Sequence, residues 1–327
     1  MRATCLIIAF LIPITGSFHL TSRLTLSSAP FSSYARPHSA RLSAATLPPP
    51  PTTKTVVTVN ESSQDFVFGL NDDLVRERGR KTLVLEGDDL TTKPYQILLV
   101  TFTFLIQFLL STSAITSIFH SHASPLLSLL LTTTTILTTY TLADLGSGIF
   151  HWSVDNYGNS KTPILGNIIA AFQGHHTAPW TITERGFCNN VHKLCYPFGV
   201  LLPGLSYFMG NTGVGLLSLT LFCWFEVMSQ ELHKWTHQTS AETNKTINWL
   251  QKNNLILSRK THNKHHTMPF DGNYCIVSGW NNGWLDRSGF LRWMELRIWE
   301  RNGVESNSWK LDEGLKERTM RGEFRPE

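Results

Sequence analysis

Residues 95–119 run for 25 positions without Asp, Glu, Lys or Arg. A bilayer core needs about 20 apolar residues in a helix, so this block predicts a membrane span. It confines the fold to structures whose backbone polar groups are satisfied internally. Residues 126–143 give 18 more uncharged positions before Asp144 and predict a second span. The threonine run at 132–135 is tolerable there, because threonine hydroxyls bond backbone carbonyls within a helix. Residues 164–172 are apolar but too short to cross, and read as an interfacial or buried helix.

The block 195–225 has 31 residues and no charge. One long span would put His175 and His237 on opposite faces of the membrane. Pro203-Gly204 and Gly210-Asn211-Thr212-Gly213 interrupt the block, and the second group suits a turn. A hairpin of two short helices, tilted or re-entrant, is therefore expected. The fold class expected is an all-α integral membrane protein. It has about four transmembrane helices and a histidine-ligated di-metal centre on one membrane face. The expected far-side loops, 120–125 and 210–213, lack Lys and Arg, whereas 15 basic residues follow His233. That asymmetry places the histidine side in the cytosol, or in the stroma of a plastid.

The first 60 residues contain no acid and carry Arg2, Arg23, Arg36, Arg41, Lys54 and many Ser and Thr. Such a leader reads as a chloroplast transit peptide; a secretory signal at 5–14 is the competing reading. Residues 61–94 are expected to form a polar pre-membrane segment, 95–300 the membrane domain and 301–327 a solvated polar tail. A net charge of +4 gives no nucleic-acid surface. Five cysteines without a C-x-x-C pair argue against a disulfide framework or a thiolate zinc site.

Histidine is the anomaly. Nine of the 13 lie between His151 and His266. The clusters are Gln173-Gly174-His175-His176, His233-Lys234-Trp235-Thr236-His237 and His262-Asn263-Lys264-His265-His266, with His151 and His192 as isolated candidates. Residues three and four apart share a helix face, so His233 and His237 can serve one centre, as can His262, His265 and His266. Adjacent His175 and His176 diverge by about 100° and suit different metals. Imidazole suits iron, zinc and copper, and nine candidates suit two metals better than one. Asp144, Asp155, Glu226 and Glu231 are candidate partners for the ring N–H groups. Trp152, Trp180 and Trp235 read as interface anchors.

These boxes resemble the membrane desaturases that include plastid phosphatidylglycerol desaturases and plasmanylethanolamine desaturases, the Kua family. Further matches are Asp144-x-x-x-Gly148-x-x-His151-Trp152, His175-His176-x-x-Pro179-x-x-Ile182-Thr183, Asn189-Asn190-x-His192 and Asn273-Tyr274-Cys275-Ile276-x-x-Gly279-Trp280. They cover about 140–285, and the span layout extends them to about 95. Val154-Asp155-Asn156-Tyr157-Gly158 and the leader look closest to the plant branch. The resemblance implies O₂-dependent desaturation by two iron ions held by the nine histidines, with no catalytic residue apart from the ligands. It also implies a palmitoyl chain of phosphatidylglycerol as substrate, a trans double bond at carbon 3 and ferredoxin as electron donor. The family usually has a basic residue after Ile-Thr; here Glu184 follows, and Thr177-Ala178 and Gly186 also depart, which opens the identity of the lipid. The alternatives are a lipid hydroxylase and a non-catalytic membrane adaptor.

Overall fold

The computed structural model describes residues 56–59, 82–85, 89–208 and 210–325. The expected transit peptide lies outside the described residues except for 56–59. Two short strands that the sequence does not announce, β1 (Val56–Val59) and β2 (Thr82–Leu85), pair in parallel with Val56 opposite Thr82. From Pro94 onward the regular elements among the described residues are helical.

Helix α1 (Pro94–Ser121) starts with a proline in its first turn, where a missing N–H costs nothing. The Lys93 N–H donates to Gln96 Oε1 at 2.9 Å and caps that end. Helix α2 (Pro125–Asn156) repeats the proline start, with Ser124 Oγ accepting from the Leu127 N–H. Both helices are inside out by the standard of a water-soluble protein. On α1, Leu98, Phe102, Leu105 and Phe108 are exposed while Gln96, Thr103 and Gln107 are buried. On α2, Ser128, Thr132, Thr135 and Thr139 form an inward stripe at helical spacing, and Leu126, Leu129, Leu130 and Leu137 face out. Small and polar groups between helices with leucines outside is the arrangement lipid favours. Thr135 and Thr141 bond their hydroxyls to carbonyls four residues back, as expected of threonines in such a span.

Asp144 does not end α2, which runs on to Asn156. The carboxylate is buried, and its charge is met by donors from a distant loop. The backbone N–H groups of Ser278 and Gly279 donate to Oδ1 at 2.6 and 2.7 Å, and those of Asn281 backbone and side chain to Oδ2 at 3.0 and 3.1 Å. Asp144 thus anchors the 278–281 turn on α2. The neighbouring contact is equally close, because a Cβ on Gly148 would lie 2.5 Å from Cys275 Sγ and 3.2 Å from the Cys275 nitrogen. Replacing Asp144 by alanine would strand several buried donors, each costing about 1–3 kcal/mol. The expected result is a clearly lower melting temperature of the detergent-solubilised protein, measured by intrinsic fluorescence, with Asp144→Asn losing less.

After α2 come α3 (Gly166–His175) and a 3-10 turn, Pro179–Glu184. Helix α4 (Phe187–Leu194), a π-helical segment (Cys195–Leu201) and α5 (Leu202–Phe208) then follow without a break. This arm is 22 residues, about 30 Å, of which the last 15, 194–208, carry no charge. The expected turn falls at 210–213, with Gly210 at φ +75° and Gly213 at φ +53°, conformations that glycine adopts without strain. Helix α6 (Gly213–His237) comes back. The hairpin is therefore present, but its second limb is a full 25-residue helix and not a short half. Among the described residues three helices, α1, α2 and α6, are long and apolar enough to cross a membrane. The π-broken arm is the fourth limb.

Six short helices complete the fold: α7 (Lys245–Lys252), α8 (Arg259–His265), α9 (Asn282–Ser288), α10 (Phe290–Asn302), α11 (Asn307–Leu311) and α12 (Glu313–Met320). The tail is not a solvated strand of charges. Trp309, Leu315 and Thr319 are buried, and Trp152, expected as an interface anchor, is buried with them. Glu295 accepts from both indoles, Trp152 Nε1 at 2.9 Å and Trp309 Nε1 at 2.7 Å, and pairs with Arg292 at 2.8 Å. Asn307 Nδ2 donates to the Asp155 carbonyl at 2.7 Å, and the Ser308 N–H donates to Asn156 Oδ1. The tail thereby braces the last turn of α2.

Candidate metal centre

Helix ends deliver the histidines. His151 and Asp155 stand four apart on the last turns of α2. His175 closes α3 and His176 follows it. His233 and His237 share the last turns of α6. Ser258 Oγ caps α8 by accepting from the Thr261 N–H, which fixes the phase of His262, His265 and His266.

These side chains divide into two groups, in each of which the candidate ligand atoms lie within 4.8 Å of one another. The first is His175, His233, His237, His262 and His266. His237 Nε2 lies 2.9 Å from His175 Nε2, 3.2 Å from His233 Nε2 and 2.9 Å from His262 Nε2, and His266 Nε2 is 3.0 Å from His262 Nε2. A neutral imidazole nitrogen is a donor or an acceptor, not both, so one nitrogen cannot satisfy three others. A shared cation can. Metal–imidazole bonds of about 2.0–2.1 Å put neighbouring octahedral ligand atoms about 3.0 Å apart, close to the spacing here.

The second group is His151, Asp155, His176 and His265, all buried. Asp155 Oδ2 lies 3.2 Å from His151 Nε2, 3.1 Å from His176 Nε2 and 3.3 Å from His265 Nε2. His265 and His176 Nε2 are 3.3 Å apart. Asp155 Oδ1 is buried without a hydrogen-bond partner. A buried carboxylate ringed by imidazoles is costly unless a cation neutralises it. The groups adjoin, with ring centroids of His176 and His266 4.9 Å apart and those of His262 and His265 5.5 Å apart. The donor sets fit two metal ions.

The adjacent pair His175 and His176 splits between the groups, as its geometry predicts. The third box splits as well, contrary to expectation: His262 and His266 turn to the first group and His265 to the second. His192 joins neither. Its Nδ1 donates to the Asn189 carbonyl at 2.8 Å, and its Nε2, 3.3 Å from Gln96 Nε2, accepts from that amide. Both nitrogens are used, Nδ1 within α4 and Nε2 in tying α4 to α1. Asp155, expected to support a ring from behind, lies inside a ligand set. Asp144 holds the 278–281 turn, and Glu231 accepts from Asn190 Nδ2 at 2.9 Å and sits 3.5 Å from Lys234 Nζ. Backbone carbonyls take the supporting role. His151 Nδ1 donates to the Tyr274 carbonyl at 3.0 Å and His265 Nδ1 to the Gly272 carbonyl at 2.9 Å, which turns each Nε2 inward. Asp286 holds that loop in turn, accepting from the Asn273 N–H at 3.2 Å. Asn273-Tyr274-Cys275 is visible as a motif, but backbone carbonyl acceptors leave no side-chain signature.

Burial and neighbouring rings push His175 and His262 well below the usual imidazole range and His265 down to about 4. The rings are therefore neutral near pH 7, with lone pairs open to a metal. The sign for stability follows. Unfolded histidines take up protons near pH 6.5, before these folded ones do, so the unfolded state binds more protons as pH falls. Metal-free protein should lose stability progressively from about pH 6.5 towards 4, as measured by chemical denaturation at each pH. An acid-independent midpoint across that window would contradict it.

The lipid desaturase domain model matches residues 140–309, just over half the chain. Fatty acid desaturase 4, chloroplastic, of Arabidopsis thaliana is 44% identical over 175 residues, covering 52% of this chain and 52% of that protein. Plasmanylethanolamine desaturase 1 of Mus musculus is 31% identical over 164 residues, covering 47% and 60%. Plasmanylethanolamine desaturase of Myxococcus xanthus is 31% identical over 153 residues, covering 45% and 53%. The aligned region is thus about half the length of the curated relatives it matches. No solved structure matches. With both histidine groups and the Tyr274 loop inside the matched region, the chain belongs to the lipid desaturase domain family.

Proposed function

We propose that this protein is an O₂-dependent acyl-lipid desaturase of chloroplast membranes, with an iron ion in each of the two histidine groups. The convergence of eight buried or half-buried imidazoles and Asp155 from the ends of α2, α3, α6 and α8 carries the reading. In the proposal His175, His233, His237, His262 and His266 hold one ion, and His151, Asp155, His176 and His265 the other. Iron with O₂ supplies the oxidising power to break unactivated C–H bonds, which no side chain possesses. The chain's own residues fix the geometry and keep the site dry. The carbonyls of Tyr274 and Gly272 hold the proton on Nδ1 of His151 and His265. Tyr274, Phe172 and Phe270 pack against the second group and exclude water.

The relatives' names support fatty acid desaturation in the chloroplast; the finer assignment is what the motif resemblance implies: a palmitoyl chain of phosphatidylglycerol as substrate, a trans double bond at carbon 3, ferredoxin as donor and the histidine groups facing the stroma. The test is expression of the full chain in a plant lacking the corresponding desaturase, followed by mass spectrometry of each lipid class. A new monounsaturated 16-carbon chain in phosphatidylglycerol is expected. A hydroxylated chain, or no change with protein present and iron-loaded, would overturn the assignment. A fluorescent fusion should enter plastids and fail to do so without residues 1–60.

A further inference from the structure

A line of aromatic side chains leads away from the second histidine group, and metal binding does not account for it. Tyr274 starts the line. Its ring is fully buried, with centroids 5.0 Å from His265 and 5.6 Å from His151. Trp152, the residue after His151, packs in one buried cluster with Tyr274. Glu295 on α10 joins Trp152 to Trp309 on α11, accepting one indole N–H on each oxygen. The Trp309 ring lies 6.4 Å from that of Trp299, which is half-buried. Lys316 sits 5.6 Å over the Trp299 ring, with its charge paired to Glu305.

Packing alone does not call for this chemistry. Phenylalanines would fill similar space without two N–H groups that need a buried carboxylate, and burying that charge is costly. Indole and phenol rings give up an electron more readily than phenylalanine or aliphatic side chains. Glu295 favours that loss at both indoles, because its negative charge offsets the positive charge left on the ring. Arg292, 2.8 Å away, holds the carboxylate in place. Tyr274 differs, since its hydroxyl donates to the Phe270 carbonyl and has no carboxylate beside it. It suits a bridge, and the tryptophans suit the resting places.

We propose that Trp152, Trp309 and Trp299 form an electron relay that protects the metal site when no lipid is in place. This rests on the desaturase reading, because a site able to oxidise an unactivated C–H bond can also oxidise its own ligands. Trp152 gives one electron, across Tyr274, to the oxidised second group and becomes a radical cation with its N–H still on Glu295. Trp309 then reduces Trp152, and Trp299 reduces Trp309. A soluble thiolate or ascorbate gives one electron to Trp299. One electron crosses the chain, no bond breaks in the protein, and all three indoles end unchanged.

The test mixes the full chain, loaded with ferrous iron in detergent, with O₂ in the absence of lipid and freezes it for electron paramagnetic resonance. An organic radical is expected, narrowed when the protein carries ring-deuterated tryptophan and removed by ascorbate. Trp299→Phe changes only a half-buried ring, so iron content and melting temperature should hold. The radical should then be stranded on Trp309, and ascorbate should remove it several-fold more slowly. Trp309→Phe should lose iron several-fold faster in air without lipid, with oxidised His151 or His265 found by peptide mass spectrometry. Iron that oxidises and desaturates added lipid with no tryptophan radical would overturn the relay and leave the desaturase reading standing. So would a Trp299→Phe radical that ascorbate removes as fast as in wild type. Iron that O₂ leaves ferrous, with lipid or without, would sink both.

Discussion

His262→Ala should lose metal from the five-histidine group and cut desaturation by more than about 100-fold, since replacing even the supporting partners of metal ligands costs about 10–100-fold. His262 is fully buried between His233, His237 and His266, with ring centroids 4.4, 4.7 and 4.7 Å away. Water admitted to the vacated space would be a weaker and movable donor. His192→Ala is the matched control. It removes a histidine of the same sequence region whose nitrogens are spent on Asn189 and Gln96, and it should keep both metals. Metal analysis of the two purified variants decides. Equal metal loss in both would return His192 to the ligand set, and undiminished metal in His262→Ala would remove His262 from it.

The second large effect is expected at Asp155. In Asp155→Ala three buried imidazoles lose the anion between them, and the second group is left with neutral nitrogen ligands alone. Loss of one metal per chain and of activity by more than about 100-fold should follow, with the first group still loaded. Asp155→Glu should recover part of the metal, because the carboxylate returns at a displaced position. If Asp155→Ala retained both metals, the carboxylate would be a neighbour of the site and not part of it.

Much of the fold and part of this site were legible in the sequence. The uncharged blocks located where α1 and α2 begin, because lipid demands uncharged length, and Gly210–Gly213 located the turn. The ends of the helices were less legible. A charge reads as a boundary, yet Asp144 is neutralised by the N–H groups of Ser278, Gly279 and Asn281, and α2 continues through His151 and Asp155. Cutting that helix short hid the His151-x-x-x-Asp155 spacing, which on a continuous helix places both side chains on one face. The histidine boxes were plain, but the division of His262, His265 and His266 depends on the phase set by the Ser258 cap and by where α6 and α3 end. The tail was misread for a related reason: its abundant charges mask Trp309, whose burial depends on Glu295 reaching two indoles at once.

The central claim is that two adjacent groups each bind one iron. Purified full-length protein from iron-replete cells, assayed for metals by plasma mass spectrometry against quantitative amino-acid analysis, tests it most directly. Close to two irons per chain are expected, falling to about one in Asp155→Ala. One iron per chain in the wild type, or stoichiometric zinc with no iron, would contradict it.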